Sequence, residues 1–363
     1  MDYNKKLLIS FLLPNAGVGG GVRAIVEFGN QLLNRGHQVR IFYRTDNFSL
    51  RQIMQTAYLK FRYGNHDWLA GFQGESQPYD TLKVLDFSQD EIILSMCART
   101  TLDAHELPEE HGIKVLHCHG AELENWEQMS QAWKLPKYIL VVSSHLIDMF
   151  KEVAGKDVLG IVPDGVDMDQ YYPAFNETER RGVGAALRWR PSKAPEMTIS
   201  VINELKARIP QVSIYSYGSG RRPDAYGVDT YLRLPSVTKA REIYSKSIIW
   251  LLTSKNEGFG MPVLEAMACG CIVISTKCGG PEDVIQDGVN GFIVPVDDVD
   301  AMVLSVMCLL KDTELRKKMQ IAAYDTARNY TWHKAALQLE EFLFEIYESH
   351  DESISLNKVN NHD

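Results

Sequence analysis

Long apolar runs are missing from this chain. No stretch of its 363 residues approaches the roughly 20 apolar residues that cross a bilayer. The apolar segment after Lys5-Lys6 is short and stops at Pro14, so the N-terminus does not read as a signal peptide. Cysteine pairs of the C-x-x-C kind are also absent. The six cysteines, at 97, 118, 269, 271, 278 and 308, mostly fall in apolar segments, which points to reduced thiols and a cytoplasmic protein. There is no excess of positive charge: the formal net charge is -9, which argues against a nucleic-acid binder working through a broad basic surface. The glycine-rich segment 17–21 lacks the G-x-G-x-x-G spacing of a dinucleotide fingerprint.

The richest stretch runs from Thr253 to Gly270 and reads T-S-K-N-E-G-F-G-M-P-V-L-E-A-M-A-C-G. It follows Ile248-Ile249-Trp250-Leu251-Leu252, an apolar run short enough for a buried strand. Pro262 opens a helix and Gly270 closes it, the usual asymmetry of the two residues. The helix start from Met261 to Leu264 presents backbone N–H groups and the positive dipole end, a site suited to phosphate. Gly258 and Gly260 let backbone approach a ligand closely. Glu257 and Glu265 bracket the segment, and carboxylates accept hydrogen bonds from sugar or ribose hydroxyls.

Apolar runs alternate with amphipathic segments along both halves, which predicts parallel sheets with helices on each face. Leu7 to Leu13 reads as a strand, the helix from about Val22 to Arg35 follows, and His37 to Tyr43 is the second strand. Further strands are expected at Glu91–Met96, Ile113–His119, Tyr138–Val142 and Val158–Val162, with Ser143-Ser144 capping a helix. In the second half they are expected at Gly184–Leu187, Val212–Tyr217 and Cys271–Ser275. Gly218-Ser219-Gly220 is a turn suited to contact a nucleotide, and Asp287 to Gly291 reads as a hairpin-like turn. Helices to about Ser349 close the chain, and the polar tail from Asp351 to Asp363 reads as disordered.

His117-Cys118-His119 invites a metal reading, but adjacent strand residues face opposite ways and no fourth ligand follows, so no metal site is expected. His119, followed by Gly120, stands where open α/β sheets place ligands, at the carboxyl end of a strand. His117 is the more structural of the two. Asp167-Met168-Asp169 spells D-x-D but reads better as a linker turn. From Asn47 to Phe72, aromatics and cations interleave. That pattern fits either a surface for a lipid-linked acceptor or membrane interface, or an insertion packed on its own domain, the second being favoured.

The string E-G-F-G-M-P-V-L-E-A-M-A-x-G resembles the E-x7-E signature of retaining glycosyltransferases of family 4. The resemblance implies an α/β GT-B fold, two Rossmann-like domains facing a cleft. It places an acceptor-binding domain at 1–165, a nucleotide-sugar-binding domain at 166–330, and at 331–363 a helix that crosses back to the first domain, with a flexible tail. It implies that Glu257 touches the transferred sugar and Glu265 the ribose, with Phe259, Gly260, Met261, Pro262 and Val263 lining the helix start. Arg188 and Lys193 match the family's R-x4-K diphosphate clamp, Arg190 being a rival for Arg188. Gly218 stands near the nucleotide. His119 matches the histidine that approaches the sugar, and Gly20 and Gly21 the loop over the diphosphate. Pro163-Asp164-Gly165-Val166-Asp167 resembles the interdomain P-N-G-V-D, with Asp164 where Asn is usual.

The activity so implied is transfer of a sugar, with retention and without metal, from a nucleotide-diphosphate donor to a hydroxyl of a saccharide or lipid-linked acceptor. UDP-sugar is the first candidate donor and GDP-sugar the second. No cofactor is expected beyond that co-substrate, and no nucleic-acid partner. Peripheral contact with the inner face of the membrane is compatible with it. Two rivals share the architecture: a sugar-nucleotide epimerase and a non-catalytic nucleotide-sugar-binding protein.

Overall fold

The computed structural model describes residues 5–17, 19–45, 68–121, 123–175, 180–220 and 227–360, with side chains through residue 351. The chain divides into two compact units: Met1–Asp164 together with Trp332–Asp363, and Gly165–Thr331.

In the first unit seven strands are assembled, β1 (Leu8–Leu13), β2 (Gln38–Arg44), β3 (Glu75–Tyr79), β4 (Ile92–Ser95), β5 (Ile113–Cys118), β6 (Tyr138–Val141) and β7 (Gly160–Ile161). They pair in parallel in the order β3-β2-β1-β4-β5-β6-β7, so the order reverses between β1 and β4. The central strands are apolar throughout because helices cover both faces. Ile92, Ile93 and Leu94 of β4 are all fully buried. Helix α1 (Gly20–Asn34) presents Ile25, Phe28 and Leu32 to this core at helical spacing. Helices α2 (Ala98–His105), α3 (Trp126–Trp133) and α4 (His145–Ala154) follow in chain order.

The second unit repeats the plan. Strands β8 (Val183–Leu187), β9 (Ile214–Gly218), β10 (Thr230–Arg233), β11 (Ile249–Leu252), β12 (Ile272–Thr276) and β13 (Gly291–Val294) are parallel in the order β10-β9-β8-β11-β12-β13. The reversal here lies between β8 and β11. Helices α5 (Pro195–Arg208), α6 (Val237–Lys246), α7 (Met261–Ala268), α8 (Pro281–Val284), α9 (Val299–Lys311) and α10 (Thr313–Ala327) accompany the sheet. The last helix, α11 (Trp332–Asn360), packs in the first unit, where the Phe28 and Trp332 rings meet edge-on with centroids 5.4 Å apart.

Several details differ from the sequence expectation. The segment after Asp287 is no hairpin. It enters β13, which runs parallel to β12, and Asp287 Oδ1 accepts from the Ile293 N–H at 2.9 Å to shape the turn. Strand β3 escaped notice because its pattern is mostly exposed, and β10 because it is short and half-buried. Ser144 makes no side-chain cap on α4; Ser143 Oγ instead pairs with His145 Nδ1 at 2.9 Å. The segment 351–360, read as disordered, continues α11 as helix. Of the aromatic stretch at 47–72, residues 47–67 lie outside the described residues. The rest packs on α1, with the Arg23 guanidinium 4.9 Å from the Trp68 ring centroid. Val18 and Glu122 also lie outside the described residues.

Candidate functional site

At the reversal between β8 and β11, two loops leave the carboxyl ends of neighbouring strands, the position where open α/β sheets bind ligands. The loop after β8 carries Arg188 and Lys193, and the loop after β11 carries Glu257. Lys193 Nζ lies 2.8 Å from Glu257 Oε2, and Ser254 Oγ donates to Glu257 Oε1 at 2.6 Å. Both oxygens of this buried carboxylate are therefore held. The backbones are stitched as well: the Lys255 N–H donates to Ser192 O at 2.8 Å. Directly after Lys193, Ala194 adopts a left-handed φ of 42°, a conformation costly for a residue with a Cβ.

Arg188 is exposed in the loop after β8, where the charges of Glu257 and Glu265 act on it. Burial opposes its charge, but Tyr217, Glu257, Tyr244 and Glu265 outweigh that and hold its pKa above the ordinary arginine value. Its rival Arg190 is exposed at the start of the turn Pro191–Lys193. Arg188 is thus the cation grouped with both glutamates. Glu265 is buried in α7, and its Oε2 accepts from Tyr244 Oη at 2.8 Å. Gly218 ends β9 beside this group. A Cβ there would come within 2.0 Å of Leu187 O, so only glycine lets the two strand ends lie this close.

The start of α7 is narrower in donors than the sequence suggested. Pro262 has no N–H, and the Val263 N–H is committed to Gly260 O at 2.8 Å. Among the described residues, the N–H groups of Phe259, Gly260 and Met261 show no backbone partner. Gly260 takes a φ of 89° to turn the chain into the helix. The segment after β12 braces this loop, with the Glu257 N–H donating to Cys278 O at 2.8 Å and the Gly280 N–H to Glu257 O at 3.1 Å.

In the first unit, His119 follows β5 and Gly20 and Gly21 form the first turn of α1 rather than a free loop. His119 Nδ1 stands 3.5 Å from Asp164 Oδ1, too far for a good hydrogen bond. Neither ring nitrogen of His119 nor Oδ1 of Asp164 has a hydrogen-bond partner among the described residues. Burial drives the His119 pKa well below the ordinary histidine value, and His117 adds to this. Burial likewise raises the Asp164 carboxyl to about 7 against the attraction of Arg23. His117 is fully buried with Nε2 3.1 Å from Val162 O, a structural tie. Asp167, the first acid of the D-x-D string, accepts from the Asp169 N–H at 2.8 Å and from Gln170 Nε2 at 2.6 Å, shaping a turn.

Sequence reasoning missed Ser254, Tyr217, Tyr244 and Gly280. Ser254 lies in the Thr253–Gly270 stretch and reaches Glu257 three residues on; the other three lie outside it and join the site only through the folding of the unit.

Two all-parallel Rossmann-like units, the second with cations and carboxylates at its switch point, define the GT-B class of fold. Solved structures agree. TarM superposes with a TM-score of 0.75 at 12% identity, covering 96% of this chain and 100% of that one. Anabaena HepE in complex with UDP-glucose gives a TM-score of 0.72 at 16% identity, over 93% and 100%. Sucrose-phosphate synthase from Thermosynechococcus elongatus gives 0.71 at 15%, over 94% and 100%. Residues 185–326 match the family described as glycosyl transferases group 1. Curated relatives include the D-inositol 3-phosphate glycosyltransferase of Corynebacterium efficiens, 29% identical over 220 residues, 53% of this chain and 52% of that protein. Another is the GDP-mannose-dependent alpha-(1-6)-phosphatidylinositol monomannoside mannosyltransferase of Mycolicibacterium smegmatis, 28% identical over 210 residues, 50% of this chain and 55% of that protein. The chain spans about half the length of the curated relatives it matches.

Proposed function

We propose that this protein transfers a sugar, with retention of anomeric configuration, from a nucleoside-diphosphate donor to a hydroxyl of a saccharide or lipid-linked acceptor. The observation that carries the reading is the Lys193–Glu257 pair at 2.8 Å, with Arg188 and Glu265 in the same group. As the glycosidic bond to the diphosphate breaks, negative charge builds on the leaving oxygen. Positioned cations beside it stabilise that state more than the ground state, and about 1.4 kcal/mol of such stabilisation is tenfold in rate. Arg188, Lys193 and the N–H groups from Phe259 to Met261 serve the diphosphate. Glu257 meets the transferred sugar, Glu265 the ribose, and Gly218 lets the nucleotide lie close to backbone.

The first unit serves the acceptor side through His119 and the α1 start at Gly20 and Gly21. The unpartnered nitrogens of neutral His119 suit a sugar hydroxyl, which both donates and accepts. UDP-sugar is the leading donor and GDP-sugar the second, in keeping with the UDP-glucose held by HepE and the GDP-mannose in the name of the mannosyltransferase. The protein's own cations serve the diphosphate, so we assign no metal and no cofactor to turnover. Among the described residues no helix is long and apolar enough to cross a membrane.

Incubation with UDP- and GDP-sugars and a panel of saccharide and lipid-linked acceptors tests this. Acceptor-dependent release of nucleoside diphosphate, undiminished by EDTA, is the expected result. Interconversion of the donor sugar without release would indicate an epimerase, and donor binding without turnover a binding protein.

A further inference from the structure

Beneath the cation–carboxylate group of the second unit runs a chain of hydroxyls whose direction can be worked out. Tyr244 Oη lies 2.8 Å from Glu265 Oε2 and 2.7 Å from Tyr217 Oη. A phenol has one proton. Glu265 as a carboxylate accepts only, so the Tyr244 proton goes to Glu265, and Tyr217 must donate to Tyr244. The Tyr217 oxygen is then left to accept, and the Arg188 charge acts on it. The chain therefore reads Tyr217 to Tyr244 to Glu265, each member donating to the next. Burial raises the Tyr217 pKa to about 12 and that of Tyr244 well above the ordinary tyrosine value, so both phenols keep their protons at neutral pH.

Packing holds the chain still. Tyr244 is fully buried, its ring 4.3 Å from that of Trp250, and the Tyr217 ring stacks on Trp250 with centroids 5.6 Å apart. Three elements contribute: Tyr217 from β9, Tyr244 from α6 and Trp250 from β11. The chain ends on Glu265, the group that the reading above assigns to the ribose.

We infer that Tyr217 and Tyr244 are positioning residues of the donor site, which hold the Glu265 carboxylate in the plane that reads the ribose hydroxyls. A carboxylate free to rotate about its terminal torsion would accept from ribose hydroxyls in several poses. One fixed from behind by a buried phenol accepts in one, and so discriminates hydroxyl from hydrogen at that carbon. The inference rests on the donor-site reading under Proposed function and adds the residues that set its ribose selectivity.

The test measures binding of UDP and GDP and of their 2′-deoxy and 3′-deoxy counterparts by calorimetry, on the wild-type chain and on Tyr244→Phe, Tyr217→Phe and Glu265→Gln. Thermal melts of each variant establish that it is folded. The wild type is expected to prefer the ribonucleotide. Glu265→Gln should lose most of that preference. Tyr244→Phe should cut it about tenfold, the scale of one hydrogen bond to a charged group, while binding the deoxy compound nearly as before. Tyr217→Phe should have a smaller effect in the same direction, because it removes the donor to Tyr244 and leaves the bond to Glu265. A purely structural role would lower all affinities together and leave the ratio unchanged. Undiminished discrimination in a folded Tyr244→Phe, with loss in Glu265→Gln, would overturn the inference and leave the donor site standing. Failure of the wild type to bind either nucleotide would overturn the donor-site reading and this inference with it.

Discussion

His119 and Asp164 confront each other in the first unit with Nδ1 and Oδ1 3.5 Å apart, and neither atom has a hydrogen-bond partner among the described residues. Burial raises the Asp164 pKa from 3.8 to about 7, so between those values the folded chain keeps a proton that the unfolded chain has lost. The contribution of this group is thus fully present below about pH 4 and is lost as pH rises through 7. Asp164→Asn does not titrate. Its melting temperature relative to wild type should therefore climb from pH 4 to pH 7 and level off above. The size is a few kcal/mol, at about 1.4 kcal/mol per pKa unit. A difference independent of pH across that range would refute the assignment.

Lys193 and Glu257 form the ion pair at the switch point of the second unit. Replacing either with alanine should lower turnover at least about a hundredfold, the scale for removing one preorganised electrostatic group. Initial rates of nucleoside-diphosphate release with saturating donor measure this. Near-normal rates in both variants would remove the site from the two loops.

Gly280 touches the Glu257 loop more closely than any side chain would allow. A Cβ at this position would lie 2.4 Å from Gly258 O and 2.4 Å from Phe259 Cα, both backbone atoms that cannot swing aside. Gly280→Ala should push the loop outward, costing about 1–3 kcal/mol as for overpacking in a dense interior. Because the displaced loop carries Phe259 and Gly260, nucleotide affinity should fall in the same variant. Unfolding midpoints in urea and calorimetric binding read the two effects separately, and wild-type values in both would exclude the contact.

In the first unit Glu91 is fully buried and accepts two hydrogen bonds from Arg40 Nη2, at 2.6 and 2.7 Å, as well as one from Ser10 Oγ. Arg40→Ala strands a buried carboxylate, which costs about 3–5 kcal/mol when a partner is removed outright. The lower end applies, since Arg40 retains solvent contact and Ser10 remains. Adding Glu91→Gln to Arg40→Ala should recover part of the loss. A double-mutant cycle by chemical denaturation gives the coupling, and a second substitution that only deepens the loss would contradict this account.

Motifs were legible in the sequence wherever function and local backbone coincide. The apolar run before Thr253, Pro262 at the helix start and Gly260 at its mouth specify strand, loop and helix within one short stretch, and Glu257 and Glu265 travel with it. The buried parallel strands were readable for a similar reason, since strands covered on both faces must be apolar from end to end. Edge elements were not. β3 is mostly exposed and β10 half-buried, so neither carries a run, and β13 follows a turn whose residues would equally suit a hairpin.

Partnerships between distant residues depended on tertiary structure alone. Nothing in the neighbourhood of Tyr217 or Tyr244 marks them as supports for Glu265, because α6 brings a buried phenol to that carboxylate only once β9, β11 and α7 have packed. Likewise the choice of Arg188 over Arg190 turned on which cation feels the charges of the two glutamates. By itself the amino-acid order determined the alternating α/β plan and the chemistry available at one strand end, because periodicity and turn residues act over a few neighbours. Which hydroxyls and carboxylate share a hydrogen-bond chain was decided by packing, since it depends on side chains that meet across elements and leave no local pattern.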